Sequence, residues 1–190
     1  MTNIYLVRHG ETEFNVANRL QGVTDIPLNS TGIKKAECLA HSLRGEHLYI
    51  YSSPLKRAMQ TARIIADGRS VEIDARLRER NYGDYEGINL STKFRDRFGF
   101  GFGFPDIKGG ESINGVIERA DAFINSKIKV ERGDDKNILV VAHGFILSCI
   151  ANRLLNRRPT FENLMALRLG EYVIYNKNTN QITVVGGQHD

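Results

Sequence analysis

Short apolar runs alternate along this chain with segments whose apolar residues recur at helical spacing. Four of the runs predict β-strands: residues 3–7, 48–51, 71–73 and 138–142. The last of them is wholly apolar, as expected of a strand that is covered on both faces. Two further runs, residues 171–175 and 181–185, flank a short polar turn and predict a β-hairpin.

Helical spacing of apolar residues predicts the connections between these strands. The predicted helices occupy residues 33–43, 53–66, 112–131 and 145–155. Ser53 and Pro54 are suited to open the second helix, as its cap and its first-turn residue. Because strands and helices alternate, the pattern predicts an α/β fold, a three-layer α/β/α sandwich around a mostly parallel sheet. No linker or repeat interrupts it, so residues 1–190 are expected to form a single domain.

Composition narrows the class of protein only slightly. The chain has 26 basic and 22 acidic residues, interspersed, for a net charge of +4. No basic block or nucleic-acid-binding motif occurs, so a nucleic-acid partner is not expected. With no bilayer-length apolar stretch and no signal-peptide pattern, a cytoplasmic protein without membrane contact is expected. Cys38 and Cys149 fall in helical patterns and are expected to be buried thiols. Whether copies of the chain form a homo-oligomer stays open.

Chemically active side chains follow the carboxyl ends of two predicted strands. Arg8, His9 and Gly10 follow the first strand, and His143 and Gly144 follow the strand at 138–142. Open α/β sheets bind ligands at this edge. The two imidazoles are therefore expected to meet at one site, and the arginine beside the first suggests that the site receives an anion.

Further charged residues follow the other predicted strands. Arg57 lies one turn into the helix after the second strand, and Glu79 lies in the loop after the third. Guanidinium groups bind phosphate oxygens in pairs, and N–H groups at helix starts add donors. A neutral imidazole can attack phosphorus, and a carboxylic acid can protonate a leaving oxygen. The set predicts a phosphoryl-transfer site.

Five segments of the chain match, in order, the signature blocks of a known family. They are residues 6–12 (LVRHGET), 52–62 (SSPLKRAMQTA), 77–83 (LRERNYG), 110–112 (GES) and 140–144 (VVAHG). With them the chain strongly resembles the histidine phosphatase superfamily, which has the phosphoglycerate mutase-like fold. The blocks spread from the first residues to about position 150, and the part beyond residue 158 matches only in its expected strands.

The resemblance implies a catalytic role for each matching residue. His9 would be the nucleophile that becomes phosphohistidine, and Arg8, Arg57 and His143 would bind the phosphoryl oxygens. Glu79 would be the general acid toward the leaving group and then the base for water. No metal and no other cofactor is implied, because the arginines and His143 would neutralise the phosphoryl charge.

The same resemblance implies substrate-binding roles for four residues. Asn15 and the backbone of Gly144 match positions that donate further hydrogen bonds to phosphate. Arg80 and Tyr82 match positions that contact the substrate, although an exposed loop arginine and a packing tyrosine explain these two residues equally well.

Two assignments stay open at the level of sequence. Asp84 and Glu86 lie on the same loop as Glu79 and are alternative candidates for the acid. Residues 98–104 (FGFGFGF) are either a loop whose rings pack on the core or a substrate lid, and the first is favoured.

Within the family, the sequence favours phosphomonoester hydrolysis over a 2,3-bisphosphoglycerate-dependent phosphoglycerate mutase. The mutases carry a longer insertion after the general acid, with a lysine and an arginine pair for the second anionic end. Leu90 stands where the mutase pattern suggests lysine, although Arg95 and Arg97 are candidates to substitute. The expected partner is a small-molecule phosphomonoester of unspecified identity. An inactive module that binds a phosphorylated ligand is disfavoured, because a binder needs neither nucleophile nor acid.

Overall fold

The computed structural model describes residues 3–46, 48–90, 107–130, 137–160, 162–165 and 167–185. The strands in these ranges are β1 Asn3–Arg8, β2 Leu48–Ser52, β3 Val71–Ile73, β4 Asn137–Ala142, β5 Tyr172–Asn176 and β6 Gln181–Val185. The α-helices are α1 Glu13–Val16, α2 Ser30–Ser42, α3 Lys56–Ala66, α4 Ile113–Phe123 and α5 Gly144–Leu154. Short 3₁₀ helices occur at Ala75–Leu77 and Gly83–Tyr85, and α4 continues into a π-helical segment, Ile124–Ile128.

The six strands form one sheet in the order β3-β2-β4-β1-β5-β6. The first four are parallel, and β5 and β6 add an antiparallel hairpin, so the predictions of a mostly parallel sheet and of the hairpin are confirmed. Because β1 and β4 are adjacent and parallel, Arg8 pairs with Ala142. Residues 9 and 143 therefore leave the same edge of the sheet side by side.

Alternate residues of the central strands pack against opposite helical layers. Tyr5 and Val7 of β1 join a core cluster with α2 and α3, whereas Ile4 and Leu6 join a cluster with α4 and α5. Successive strand residues point to opposite faces, and here helices cover both faces. This explains why β1 and β4 read as continuous apolar runs. The arrangement is the predicted three-layer sandwich.

The helix predicted to have Ser53 as its cap begins two residues later than expected. α3 starts at Lys56, and its cap residue Leu55 makes no side-chain capping bond. The buried hydroxyl of Ser53 instead contacts the backbone N–H of Leu55 and the imidazole of His143. Serine followed by proline is typical of a helix start, but here the serine hydroxyl contacts His143 instead of capping the helix.

The two cysteines have different environments. Cys149 is buried in α5, as expected, but the expectation for Cys38 is wrong because its side chain is exposed on α2. α2 buries one narrow stripe, which includes Ala36 and Leu39, and Cys38 lies outside it.

Some sequence expectations fall outside the described residues. These are the lid or packed-loop alternatives for residues 98–104 and the substitute cations Arg95 and Arg97. In the part of the chain that is described, no helix has both the length and the apolar character needed to cross a bilayer.

Candidate active site

His9 leaves the end of β1 and is buried, with 2% of its surface exposed. Its Nδ1 lies 2.7 Å from the carbonyl oxygen of Gly10, which can only accept, so Nδ1 carries the proton. Nε2 therefore holds the lone pair, and it accepts from Nε of Arg57 at 3.2 Å. Burial, followed by the charges of Arg57 and Arg8, lowers the pKa of His9 well below its usual value. His9 is thus a neutral imidazole with Nε2 available as a nucleophile.

His143 follows β4, is the N-cap residue of α5 and packs against His9. The two ring centroids are 5.1 Å apart, and His143 is fully buried. Its Nε2 lies 2.8 Å from Oγ of Ser53, whereas Nδ1 is buried without a hydrogen-bond partner among the described residues. Burial lowers the pKa of His143 well below its usual value, and Arg57, His9, Arg8 and Arg119 add to this effect in that order. A buried unpaired polar atom costs about 1–3 kcal/mol, so Nδ1 marks a place for a ligand.

Arg57 projects from the first turn of α3 and is 1% exposed. Its two terminal nitrogens donate to the carbonyl oxygens of Thr24 and Gly22, at 2.9 and 2.7 Å. These bonds aim Nε at His9. Burial lowers the pKa of Arg57 to about 10, which leaves the guanidinium charged at neutral pH.

Arg8, like Arg57, is held by a backbone carbonyl oxygen of a residue far away in the sequence. Its Nη1 donates to the carbonyl oxygen of Leu167 at 2.7 Å. Its Nε is buried without a partner in the described part of the chain. The guanidinium lies beside the start of α5, because a Cβ built on Gly144 would be 3.5 Å from Cζ of Arg8. A second unpaired buried donor thus lies beside the paired histidines.

The carboxylate of Glu79 lies at the start of α5, the helix that follows His143. Its carboxylate accepts from the N–H groups of Phe145 and Ile146, at 3.1 and 3.2 Å. These bonds place the carboxyl group at the positive end of α5. The N–H of Gly144, the first of the helix, has no acceptor among the described residues. The start of α5 therefore holds Glu79 and leaves one donor for a second anion.

The two alternative acids have other surroundings. Asp84 is exposed to solvent. Glu86 accepts from the N–H groups of Val23, Thr24 and Tyr82, at 2.8, 2.8 and 3.1 Å, so its oxygens are occupied in tying two loops together. Glu79 also accepts from three backbone N–H groups, those of Arg80, Phe145 and Ile146. Two of these lie at the start of the helix that follows His143, and this position beside the histidines favours Glu79 as the acid. In the described ranges, no group of three or more His, Cys, Asp or Glu side chains is placed to hold a metal ion.

Asn15 lies in the short helix α1, which the sequence analysis missed. Its Oδ1 accepts from the N–H and the hydroxyl of Thr12, at 3.1 and 2.8 Å, in a reciprocal capping box. Its amide nitrogen donates to no residue in the described ranges and is free to donate to a ligand. A Thr followed three residues later by Asn is the signal that would have indicated this helix start.

Arg80 and Tyr82 are both buried. The guanidinium of Arg80 lies 5.6 Å from the ring centroids of Tyr82 and Phe145, and its Nε donates to the carbonyl oxygen of Glu111. The interpretation of Arg80 as an exposed loop residue is therefore wrong, since its exposed fraction is 0%. Burial raises the pKa of Tyr82 well above its usual value, so its phenol is neutral. Substrate contact by either residue stays a prediction.

Glu111 and Arg119 hold the loop that carries Glu79. The backbone N–H of Glu111 donates to the carbonyl oxygen of Asn81 at 2.9 Å. The carboxylate of Glu111 pairs with Nε of Arg119 at 2.7 Å, and Arg119 also donates to the carbonyl oxygen of Arg78. The fourth sequence block thus holds the loop of Glu79 in place.

We expect Arg119→Met to lower the free energy of unfolding by about 2 kcal/mol, because a charged donor with several partners is lost. Urea denaturation measures this change. The matched control is Arg153→Met, whose pair with Asp121 also spans 2.7 Å but is about one-third exposed, at 35% and 34%. Its loss should stay below about 1 kcal/mol. Equal losses in the two variants would contradict a supporting role for Arg119.

The two buried histidines predict how stability depends on pH. Their pKa values are lowered in the folded state, so the unfolded chain takes up protons first as the pH falls. Their contribution to stability is complete above pH about 6.5 and is lost as the pH falls from there toward the folded-state pKa values. Between pH 7.5 and 5.5, the Tm of His143→Asn should fall less than that of the wild type. A variant of the exposed His41 should behave as the wild type does.

Known proteins share both the sequence pattern and the fold of this chain. The family model for the histidine phosphatase superfamily (branch 1) matches residues 4–187. A curated Yersinia pestis protein named "Probable phosphoglycerate mutase GpmB" is 36% identical over 177 residues, 88% of this chain and 81% of that protein. The structure of Entamoeba histolytica phosphoserine phosphatase with 3-phosphoglyceric acid has a TM-score of 0.79 and 28% identity, covering 100% of this chain and 98% of that chain. A Thermus thermophilus phosphoglycerate mutase has a TM-score of 0.74 and 27% identity, covering 97% and 99%. The chain belongs to the histidine phosphatase superfamily.

Proposed function

We propose that this protein is a metal-independent phosphomonoester hydrolase that works through a phosphohistidine on His9. One observation carries the proposal: His9, with its lone pair on Nε2, packs 5.1 Å from the ring of His143, and two buried polar atoms of this region, Nε of Arg8 and Nδ1 of His143, lack partners in the described ranges. A phosphoryl group would accept hydrogen bonds from both atoms. Nε of Arg57, which donates to Nε2 of His9 in the free protein, would supply a third once Nε2 bonds to phosphorus. The site is thus built for a tetrahedral anion next to a nucleophile.

In the first step, Nε2 of His9 attacks phosphorus and the bond from phosphorus to the ester oxygen breaks. The proton of the Glu79 carboxylic acid goes to the leaving oxygen, which departs as an alcohol. His9 keeps its Nδ1 proton, and the carbonyl oxygen of Gly10 stabilises the positive charge that develops on the ring. The arginines stabilise the phosphoryl charge by position and electrostatics, which supply most of the catalysis in phosphoryl transfer.

In the second step, the Glu79 carboxylate takes a proton from a water molecule whose oxygen attacks the phosphoryl group. The bond from nitrogen to phosphorus breaks, inorganic phosphate leaves, and His9 returns to its neutral form. The same carboxyl group is then protonated again for the next turnover. The hydrogen bonds from the start of α5 hold the Glu79 carboxylate in place for this step.

The second candidate is a 2,3-bisphosphoglycerate-dependent phosphoglycerate mutase. The names of the Yersinia and Thermus relatives favour it. A mutase must also bind the second anionic group of phosphoglycerate. Leu90 stands where the mutase pattern suggests a lysine for this group. This difference and the phosphoserine phosphatase relative favour hydrolysis.

The experiment is phosphate release from a panel of phosphomonoesters, including phosphoserine and 3-phosphoglycerate, in the presence of EDTA. We expect release without added metal, together with an acid-labile phosphoenzyme. Transfer to phosphoglycerate at the rate of transfer to water would favour the mutase. If no donor yields phosphate or phosphoenzyme, the binding module replaces both enzymes.

A further inference from the structure

Ser53 is a fully buried residue whose hydroxyl none of the steps above uses. It follows β2, and its Oγ lies 2.8 Å from Nε2 of His143. The N–H of Leu55 donates to the same Oγ at 3.3 Å. Among the described residues these are its two hydrogen-bond partners.

The partners of Ser53 determine which way its proton points. The N–H of Leu55 can only donate, so Nε2 of His143 is the acceptor available to the buried hydroxyl. If Nε2 carried a proton instead, the hydroxyl proton would be buried without an acceptor, which is unfavourable. The arrangement therefore favours the imidazole form with a lone pair on Nε2 and a proton on Nδ1.

The tautomer of His143 decides whether its unpaired Nδ1 offers the site a proton or a lone pair. With a proton, Nδ1 donates to a phosphoryl oxygen; without one, it would direct a lone pair at an anion. We propose that Ser53 is a positioning residue that fixes the tautomer of His143, so that an N–H faces the phosphoryl group. This inference rests on the proposed function for the identity of the anion, but the tautomer itself is a property of the free protein.

The first test measures the tautomer directly. In ¹⁵N-histidine-labelled protein, long-range proton–nitrogen NMR spectra distinguish a protonated from an unprotonated ring nitrogen, and His143→Asn assigns the signals. We expect Nδ1 to be protonated in the wild type, and Ser53→Ala to shift the population toward Nε2–H. The matched control is Ser52→Ala, equally buried one residue earlier, whose hydroxyl donates to the carbonyl oxygen of Ser53 and not to a histidine. The control should keep the wild-type tautomer.

The second test measures the consequence for anion binding and turnover. We expect Ser53→Ala to weaken the binding of inorganic phosphate and to lower kcat/KM by about 10- to 100-fold, the range for one lost hydrogen bond to a charged group. Ser52→Ala should change both far less than Ser53→Ala does, because the Ser52 hydroxyl bonds a backbone carbonyl oxygen and no histidine. Ser53→Cys has a weaker donor of similar shape and should give intermediate values; it replaces Ser53→Ala if that variant does not fold.

The outcomes separate this inference from the proposed function. An unchanged His143 tautomer in Ser53→Ala overturns the inference, even if activity falls, because Ser53 would then act only through packing. An equal tautomer shift in Ser52→Ala overturns it too. If the tautomer and the phosphate affinity respond as expected while the wild type hydrolyses no ester, the hydrolase proposal fails and the role of Ser53 stands.

Discussion

His9→Ala is expected to lower kcat/KM for phosphomonoester hydrolysis by about 10⁴-fold or more and to abolish the phosphoenzyme, because it removes the attacking atom. The remaining donors would still bind the phosphoryl group, so the variant should retain substrate affinity. Stopped assays of phosphate release measure the rate, and ³¹P NMR of protein mixed with substrate measures the phosphohistidine.

The matched control is His41→Ala, which removes an exposed imidazole on α2. It should leave both readouts at the wild-type level. Thermal denaturation in the presence of inorganic phosphate checks that His9→Ala is folded and still binds the anion. Residual activity above about one per cent, with the variant folded, would assign the attack to another group, since loss of a nucleophile removes far more.

Glu79→Gln is expected to lower kcat/KM by about 10²- to 10⁴-fold for alkyl phosphates, because an amide cannot supply the leaving oxygen with a proton. The loss should be smaller for the phosphorylation of His9 by p-nitrophenyl phosphate, whose leaving group needs no proton. Rapid-quench measurement of phosphoenzyme formation with both kinds of ester tests this difference.

The rival carboxylates supply the controls for Glu79. Asp84→Asn should keep wild-type activity with both esters, because Asp84 is exposed and outside the site. Glu86→Gln should lower stability through its lost loop contacts, without a dependence on the leaving group. If Asp84→Asn or Glu86→Gln shows the leaving-group dependence that is expected of Glu79→Gln, the residue changed in that variant is the acid and Glu79 is not.

Local patterns were sufficient for much of the fold. β1 and β4 are predicted from apolar runs alone, because helices cover both faces of each strand. Local patterns failed at Ser53 and Cys38. Serine before proline is typical of a helix start, but the Ser53 hydroxyl bonds His143. Helical periodicity assigned Cys38 to the apolar side, but the buried stripe of α2 is too narrow to include it.

The backbone contacts that hold Arg8 and Arg57 in place could not be predicted from local patterns. The carbonyl oxygen of Leu167 anchors Arg8, and those of Gly22 and Thr24 anchor Arg57. Backbone oxygens carry no signature in a sequence, since every residue has one. Nothing in the sequence pattern distinguished these three residues from their neighbours.

By itself, the sequence determined the succession of the six strands and the four longer helices along the chain, and the placement of His9 and His143 directly after two buried strands. Such features depend on neighbouring residues and on apolar periodicity. Tertiary structure alone decided the burial of Arg80, the anchoring of the arginines and the partner of each ring nitrogen. Those depend on contacts between distant parts of the chain, such as Ser53 with His143, 90 positions apart, and Arg8 with Leu167, 159 positions apart. Only the packed fold brings such groups within hydrogen-bond distance of one another.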